Sequence, residues 1–139
     1  MKEIVHTVEI AASPADVERA LTTQEGLARW WTTGVAVEGD RIRFAFEQGF
    51  NPVMRVDQTE PGKLVAWAYE SGAEPWTGST IRFELGGGDG KTTMLFRHRY
   101  GQDLPDEMFG VFNFNWGIYL KSLRLLCESG EGKPFRPKS

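Results

Sequence analysis

The chain's 139 residues fit one domain, and a domain of that size buries roughly two-thirds of its unfolded surface, so neither metal nor disulfide is needed to hold it. Sixteen Lys and Arg against nineteen Asp and Glu give a net charge of −3, and the basic residues form no stripe, which excludes a phosphate-tracking nucleic-acid surface. No apolar run reaches the length of about 18 residues that spans a bilayer.

Nine Phe, five Trp and three Tyr make up 12% of the chain, and that ring surface must be packed or offered to a ligand. The opening Lys2-Glu3-Ile4-Val5-His6 lacks the apolar core of a signal peptide. The single Cys127 has no partner for an internal disulfide, so a reducing, cytoplasmic setting is expected.

Ile4, His6, Val8 and Ile10 alternate with Thr7 and Glu9, which predicts a half-buried strand. Ser13-Pro14 with Asp16 then reads as an N-cap, a first-turn proline and a capping acid. A short helix should bury Val17, Ala20 and Leu21, break at Thr22-Thr23, and be followed by a second with Leu27, Trp30 and Trp31 apolar. From Val35 onward the chain turns strand-like. Ile42, Phe44 and Phe46 alternate with Arg41 and Arg43; Met54 and Val56 alternate with Arg55 and Asp57.

Glu60-Pro61-Gly62-Lys63 is a turn, because proline presets one φ and glycine accepts a positive one. Leu64–Tyr69 and Thr80–Leu85 read as strands, Gly86–Gly90 as a flexible loop, and Thr92–Tyr100 as a strand with Met94, Phe96, His98 and Tyr100 on one face. Arg41, Arg43, Arg55 and Arg82 are expected on the wet face, paired with Asp57 and Glu84. Phe109, Phe112, Trp116, Tyr119, Leu120, Leu123 and Cys127 then recur at three- and four-residue steps, one apolar stripe of a long helix ended by Gly130. The domain is expected to span residues 1–131, with 132–139 as a polar tail.

A strand, two short helices, six strands and a long helix make an α+β fold, in which the apolar sheet face and the helix stripe must cover each other. The phrase Ile10-Ala11-Ala12-Ser13-Pro14, with Val17 and Ala20-Leu21-Thr22, then Leu27-Ala28-Arg29-Trp30-Trp31, resembles the opening of the Activator of Hsp90 ATPase homologue 1-like family. That family lies within the START/Bet v 1-like (SRPBCC) superfamily. Val56-Asp57, Pro61, Leu64 and Trp67 fit it too, as do Gly90-Lys91-Thr92 before Leu95 and His98, and Trp116, Leu120, Leu123, Glu128 and Gly130 at the end.

The resemblance implies a helix-grip fold, a curved antiparallel sheet wrapped around the long C-terminal helix. It also implies binding of hydrophobic or aromatic small molecules in the cavity between them. An Hsp90-type ATPase is the partner the family name implies. In the name-giving co-chaperone this domain follows a separate N-terminal domain, which these 139 residues do not hold, so stimulation of such an ATPase is not expected.

The ring-rich inward face supplies the candidate ligand-binding residues: Trp30, Phe44, Phe46, Met54, Trp67, Phe83, Phe96, His98, Phe112, Trp116 and Tyr119. Trp30-Trp31 reads either as a lid or as core packing. His98 reads as a general base, as a group orienting a ligand, or as a structural histidine; with Tyr119 it would serve a cyclase or dehydratase. His6 reads as structural. Two histidines and one cysteine lie too far apart for a metal site, and no cofactor is expected. The chain has no Gly-x-Ser-x-Gly, Cys127 falls on an apolar helix face, and the glycine run lacks a phosphate loop's ending. The expected function is binding of a small hydrophobic molecule, with a protein-interaction module as a further alternative.

Overall fold

The computed structural model describes residues 2–138. Strand β1 (Glu3–Ile10) is followed by helices α1 (Pro14–Thr22) and α2 (Gln24–Trp30). Six strands come next: β2 (Gly34–Glu38), β3 (Arg41–Ala45), β4 (Val53–Glu60), β5 (Leu64–Ser71), β6 (Thr80–Gly88) and β7 (Lys91–Arg99). A 3-10 turn at Glu74–Trp76 links β5 to β6, and α3 (Asp106–Ser129) closes the fold. The strands form one antiparallel sheet in the order β1-β7-β6-β5-β4-β3-β2, so each neighbour in sequence is a neighbour in space except β1, which returns beside β7. This is the helix-grip arrangement. Among the described residues no helix is long and apolar enough to cross a membrane.

Local chemistry explains the elements before α3. The Ser13 hydroxyl accepts from the Asp16 N–H at 3.2 Å, with Pro14 in the first turn, where its missing donor costs nothing. Thr23 is extended (φ −109, ψ 148); it ends α1 and starts α2, its hydroxyl accepting from the Gly26 N–H at 3.0 Å. The two helices meet so closely that a Cβ at Gly26 would sit 2.7 Å from the Ala20 Cα. Trp30 fastens the junction, its indole donating to the Ala20 carbonyl at 2.8 Å. Both Trp30 and Trp31 are buried, so the pair packs in the core and is no lid.

Three expectations change. The glycine run is not a loose loop: β6 continues to Gly88, pairing Gly86 with Thr93, Gly87 with Thr92 and Gly88 with Lys91. Asp89 and Gly90 alone turn the chain, both at positive φ (55 and 76), as a tight two-residue hairpin demands. Glycine weakens a ladder but keeps its N–H and C=O, so pairing runs to the turn.

The surface ion pairs are also redistributed. Arg41 pairs with Glu70 and Arg43 with Glu38, while Glu84 lies 3.6 Å from both Arg82 and Arg97. Asp57 joins none of these pairs, because the irregularity between Val56 and Gln58 makes it the extra residue opposite β5.

Thirdly, the C-terminal segment is no free tail, although Ser139 lies outside the described residues. The Lys133 N–H donates to the Ser122 hydroxyl at 2.7 Å, and that hydroxyl donates to the Trp30 carbonyl at 2.8 Å. The Phe135 N–H donates to the Trp31 carbonyl and its own carbonyl accepts from the Thr33 N–H, both at 2.9 Å. Those backbone bonds carry the Phe135 ring to 5.6 Å from Phe46. Composition concealed this, since main-chain pairing does not depend on apolar side chains.

Candidate functional site

Between α3 and the β3–β4 side of the sheet lies a cavity of about 230 Å³. Its floor is three indoles from three separate places: Trp31 at the end of α2, Trp76 in the 3-10 turn, and Trp116 on α3. Trp76 is nearly parallel to Trp31 (6.3 Å, 18°) and to Trp116 (6.2 Å, 17°). The walls are Phe46 and Phe50 from the β3–β4 connection, Phe112 and Tyr119 from α3, and Phe135 from the C-terminal segment. These five rings are half-buried, so each presents part of its surface outward. Val111, Asn115 and Glu47 complete the lining, all exposed at the mouth.

The β3–β4 connection is held by its own polar groups. The Asn51 side-chain carbonyl accepts from the Phe46 N–H at 3.3 Å, the Phe50 N–H donates to the Glu47 carbonyl at 2.9 Å, and the Asn51 N–H donates to the Gly72 carbonyl at 2.9 Å. On α3, Phe112, Trp116 and Tyr119 fall on one side because they follow the three- and four-residue steps of the helix.

Of the sequence-predicted residues, Phe46, Phe112, Trp116 and Tyr119 line this cavity. Phe44, Met54, Trp67, Phe83 and Phe96 are buried in the core, where Phe96 supports Trp116 from 4.4 Å. Trp30 is committed to Ala20 and does not reach the space. Sequence reasoning missed Trp76, Phe50 and Phe135 because it looked for rings on periodic elements. The available signal was a ring standing in a polar connection, as in Glu74-Pro75-Trp76, where no strand or helix face calls for one.

His98 lies behind the floor and does not line the cavity. Its Nδ1 accepts from the Trp116 indole N–H at 3.0 Å, which puts the ring proton of the neutral form on Nε2. Tyr100 stacks on the imidazole at 4.0 Å, and Trp76 meets it edge-on at 4.6 Å. Nε2 and the Trp76 indole N–H are buried without a hydrogen-bond partner among the described residues. Burial drives the His98 pKa down to about 3 and pushes the Tyr100 phenol up. Burial, then the Glu47 carboxylate, raises the Tyr119 phenol as well. Burial also pushes the Cys127 thiol up to about 11, helped by Asp16 and Glu128, so this sulfur is a poor nucleophile.

The His98 shift has a sign that can be tested. Between about pH 6.5 and 3 the unfolded imidazole binds a proton that the folded one refuses, so stability is full above 6.5 and falls with acid through that window. Urea midpoints measured from pH 7 to 4 should therefore drop. His98→Gln, which keeps an acceptor for Trp116, should flatten that slope; an unchanged slope would place the acid sensitivity elsewhere.

The comparisons with known proteins agree with this architecture. Residues 11–128 match the family described as Activator of Hsp90 ATPase homolog 1-like protein. The solution structure of the Aha1 dimer from Colwellia psychrerythraea is 34% identical, covers 95% of this chain and 100% of its own, and superposes with a TM-score of 0.82. Protein MLL2253 from Mesorhizobium loti is 18% identical over 90% of this chain and 96% of its own, with a TM-score of 0.76. DynU16, from the dynemicin biosynthetic locus, is 19% identical over 99% of this chain and 51% of its own, with a TM-score of 0.78. The latter two share the fold. Among curated proteins none matches. The family match spans most of the chain, and the sheet wrapped on α3 is the fold it entails: the protein belongs to the Activator of Hsp90 ATPase homolog 1-like family.

Proposed function

We propose that the protein binds a small hydrophobic, ring-bearing molecule in the cavity over Trp31, Trp76 and Trp116. One observation carries this: eight of the eleven lining residues are aromatic, and five of those rings stay partly uncovered around one space. A half-covered ring cluster gains free energy when a ligand removes its remaining surface from water, at about 25 cal/mol per Å². The volume suits one or two fused rings better than a long acyl chain. Titration with single-ring and two-ring aromatic compounds should shift indole fluorescence saturably, and Trp116→Phe should shrink the change. A flat response across such a series would reject the proposal.

The geometry gives less support to a cyclase or dehydratase using His98 and Tyr119. His98 has one nitrogen engaged by Trp116 and does not touch the cavity, and the Tyr119 phenol is displaced away from neutral pH.

A second reading concerns assembly, since the Colwellia relative is a dimer. Val111 at the cavity mouth and Phe114 and Ile118 on the outer side of α3 are exposed at 56%, 71% and 51%. With half-buried Leu125 they repeat at three-, four- and seven-residue steps, the pattern of a helix seam. Gly110 lies on the same side with open space around it, although glycine inside a helix costs about 1 kcal/mol against alanine. Among the described residues nothing approaches Gly110 to use that space, whereas a second helix would. We propose that α3 pairs with α3 of a second copy. Phe114→Glu should convert a dimer to a monomer by light scattering with the melting temperature of the monomer retained. A monomer in the unmutated protein would end this reading.

A further inference from the structure

The cavity's charge selects among hydrophobic ligands, on the reading that the cavity is a ligand site. Among the described residues no Lys, Arg or His stands in its lining, and the one carboxylate there is Glu47. Glu47 is exposed at the mouth and belongs to none of the ion pairs among the described residues, although most of the neighbouring sheet's acids are paired: Glu38 with Arg43, Glu70 with Arg41, Glu84 with Arg82. Among the described residues its side chain makes no hydrogen bond either, and its backbone carbonyl accepts from the Phe50 N–H. Around it stand the rings of Phe46, Phe50 and Tyr119, whose π-faces are the negative parts of their quadrupoles. Glu47 is therefore the one formal charge in the lining among the described residues, and each ring that turns a face inward adds to its negative potential.

That arrangement works against an acidic ligand. A fatty or aromatic acid would bring its own anion against Glu47 and the π-faces. A cation gains from both, most of all a bulky, weakly hydrated ammonium that sheds its water cheaply and fills an apolar space, the chemistry by which aromatic cages hold quaternary ammonium groups. We infer that the ligand is an organic cation, an amine or quaternary ammonium carrying one or two apolar rings, with its charged head between Glu47 and the rim rings and its ring over the indole floor. The raised Tyr119 phenol, to which the Glu47 charge contributes, agrees with a carboxylate whose field reaches into the cavity.

Three probes of similar size and different charge test this: phenyltrimethylammonium, its neutral isostere tert-butylbenzene, and the anion phenylacetate. Each is titrated by indole fluorescence into the unmutated protein and Glu47→Gln, with a thermal melt showing that the exposed substitution leaves the fold intact. The ammonium should bind at least tenfold more tightly than the neutral isostere, and phenylacetate most weakly. Glu47→Gln should weaken the ammonium far more than tert-butylbenzene and so remove most of its advantage, and added salt should weaken the cation most. Equal binding of cation and isostere, preference for phenylacetate, or a Glu47→Gln variant that keeps the full preference would overturn the cation assignment while the cavity remains a binding site. Silence from all three probes would overturn both.

Discussion

Trp116→Ala should destabilise the protein by about 3–5 kcal/mol, the range for removing a large buried ring. The ring is 3% exposed and packs on Phe96 at 4.4 Å and Trp31 at 5.0 Å. Lining a hollow does not make the loss small, because only one side of the indole meets the cavity while the rest is enclosed. The mutation also strands His98 Nδ1 as a buried acceptor, adding to a site whose Nε2 already lacks a partner. Trp116→Phe separates the two contributions: it restores most of the packing but not the N–H donor. Denaturant unfolding of both variants should place Trp116→Phe between the native protein and Trp116→Ala. An alanine variant within about 1 kcal/mol of the native protein would mean that Trp116 is loosely packed, contrary to its burial.

Gly72→Ala should cost about 2–4 kcal/mol and blunt the fluorescence response to ring compounds, although Gly72 touches no ligand. Gly72 has φ +92, where a Cβ is strained, and a Cβ there would overlap the carbonyl oxygen of Asn51. The backbone has to yield on one side. Asn51 receives the push, and its side chain holds the Phe46 N–H while its N–H holds Gly72. Phe46, Glu47 and Phe50 ride on that same connection, so the rim of the cavity moves with it. Full stability loss with an unaltered response would show that the rim is positioned independently of β5.

The division between what sequence and tertiary structure decided can be drawn residue by residue. Alternation in Ile4–Ile10 and Thr92–Tyr100 specified strands and their inward faces, because a two-residue period leaves only one way to bury Ile4, Phe96 and His98 together. Ser13-Pro14 and Gly130 specified the start of α1 and the end of α3, since capping needs only groups a few residues apart. The apolar stripe from Phe109 to Cys127 specified a helix lying against the sheet, with Trp116 and Leu120 inside it.

The cavity could not be read in this way. Its floor joins residues 31, 76 and 116, and its last wall, Phe135, is placed by backbone bonds to Trp31 and Thr33. Those are contacts of high sequence separation, and no local period records them. Inward direction was legible for Phe44, Phe83 and Phe96, but whether an inward ring meets another ring or a space depends on where α3 and the C-terminal segment come to rest. The same holds for His98. Its strand position aimed it at the interior, and the Trp116 indole, eighteen residues away, decided that its Nδ1 faces a hydrogen bond behind the cavity floor. Local pattern determines which side of each element is buried; the packing of distant elements determines where the burial stops short and leaves room for another molecule.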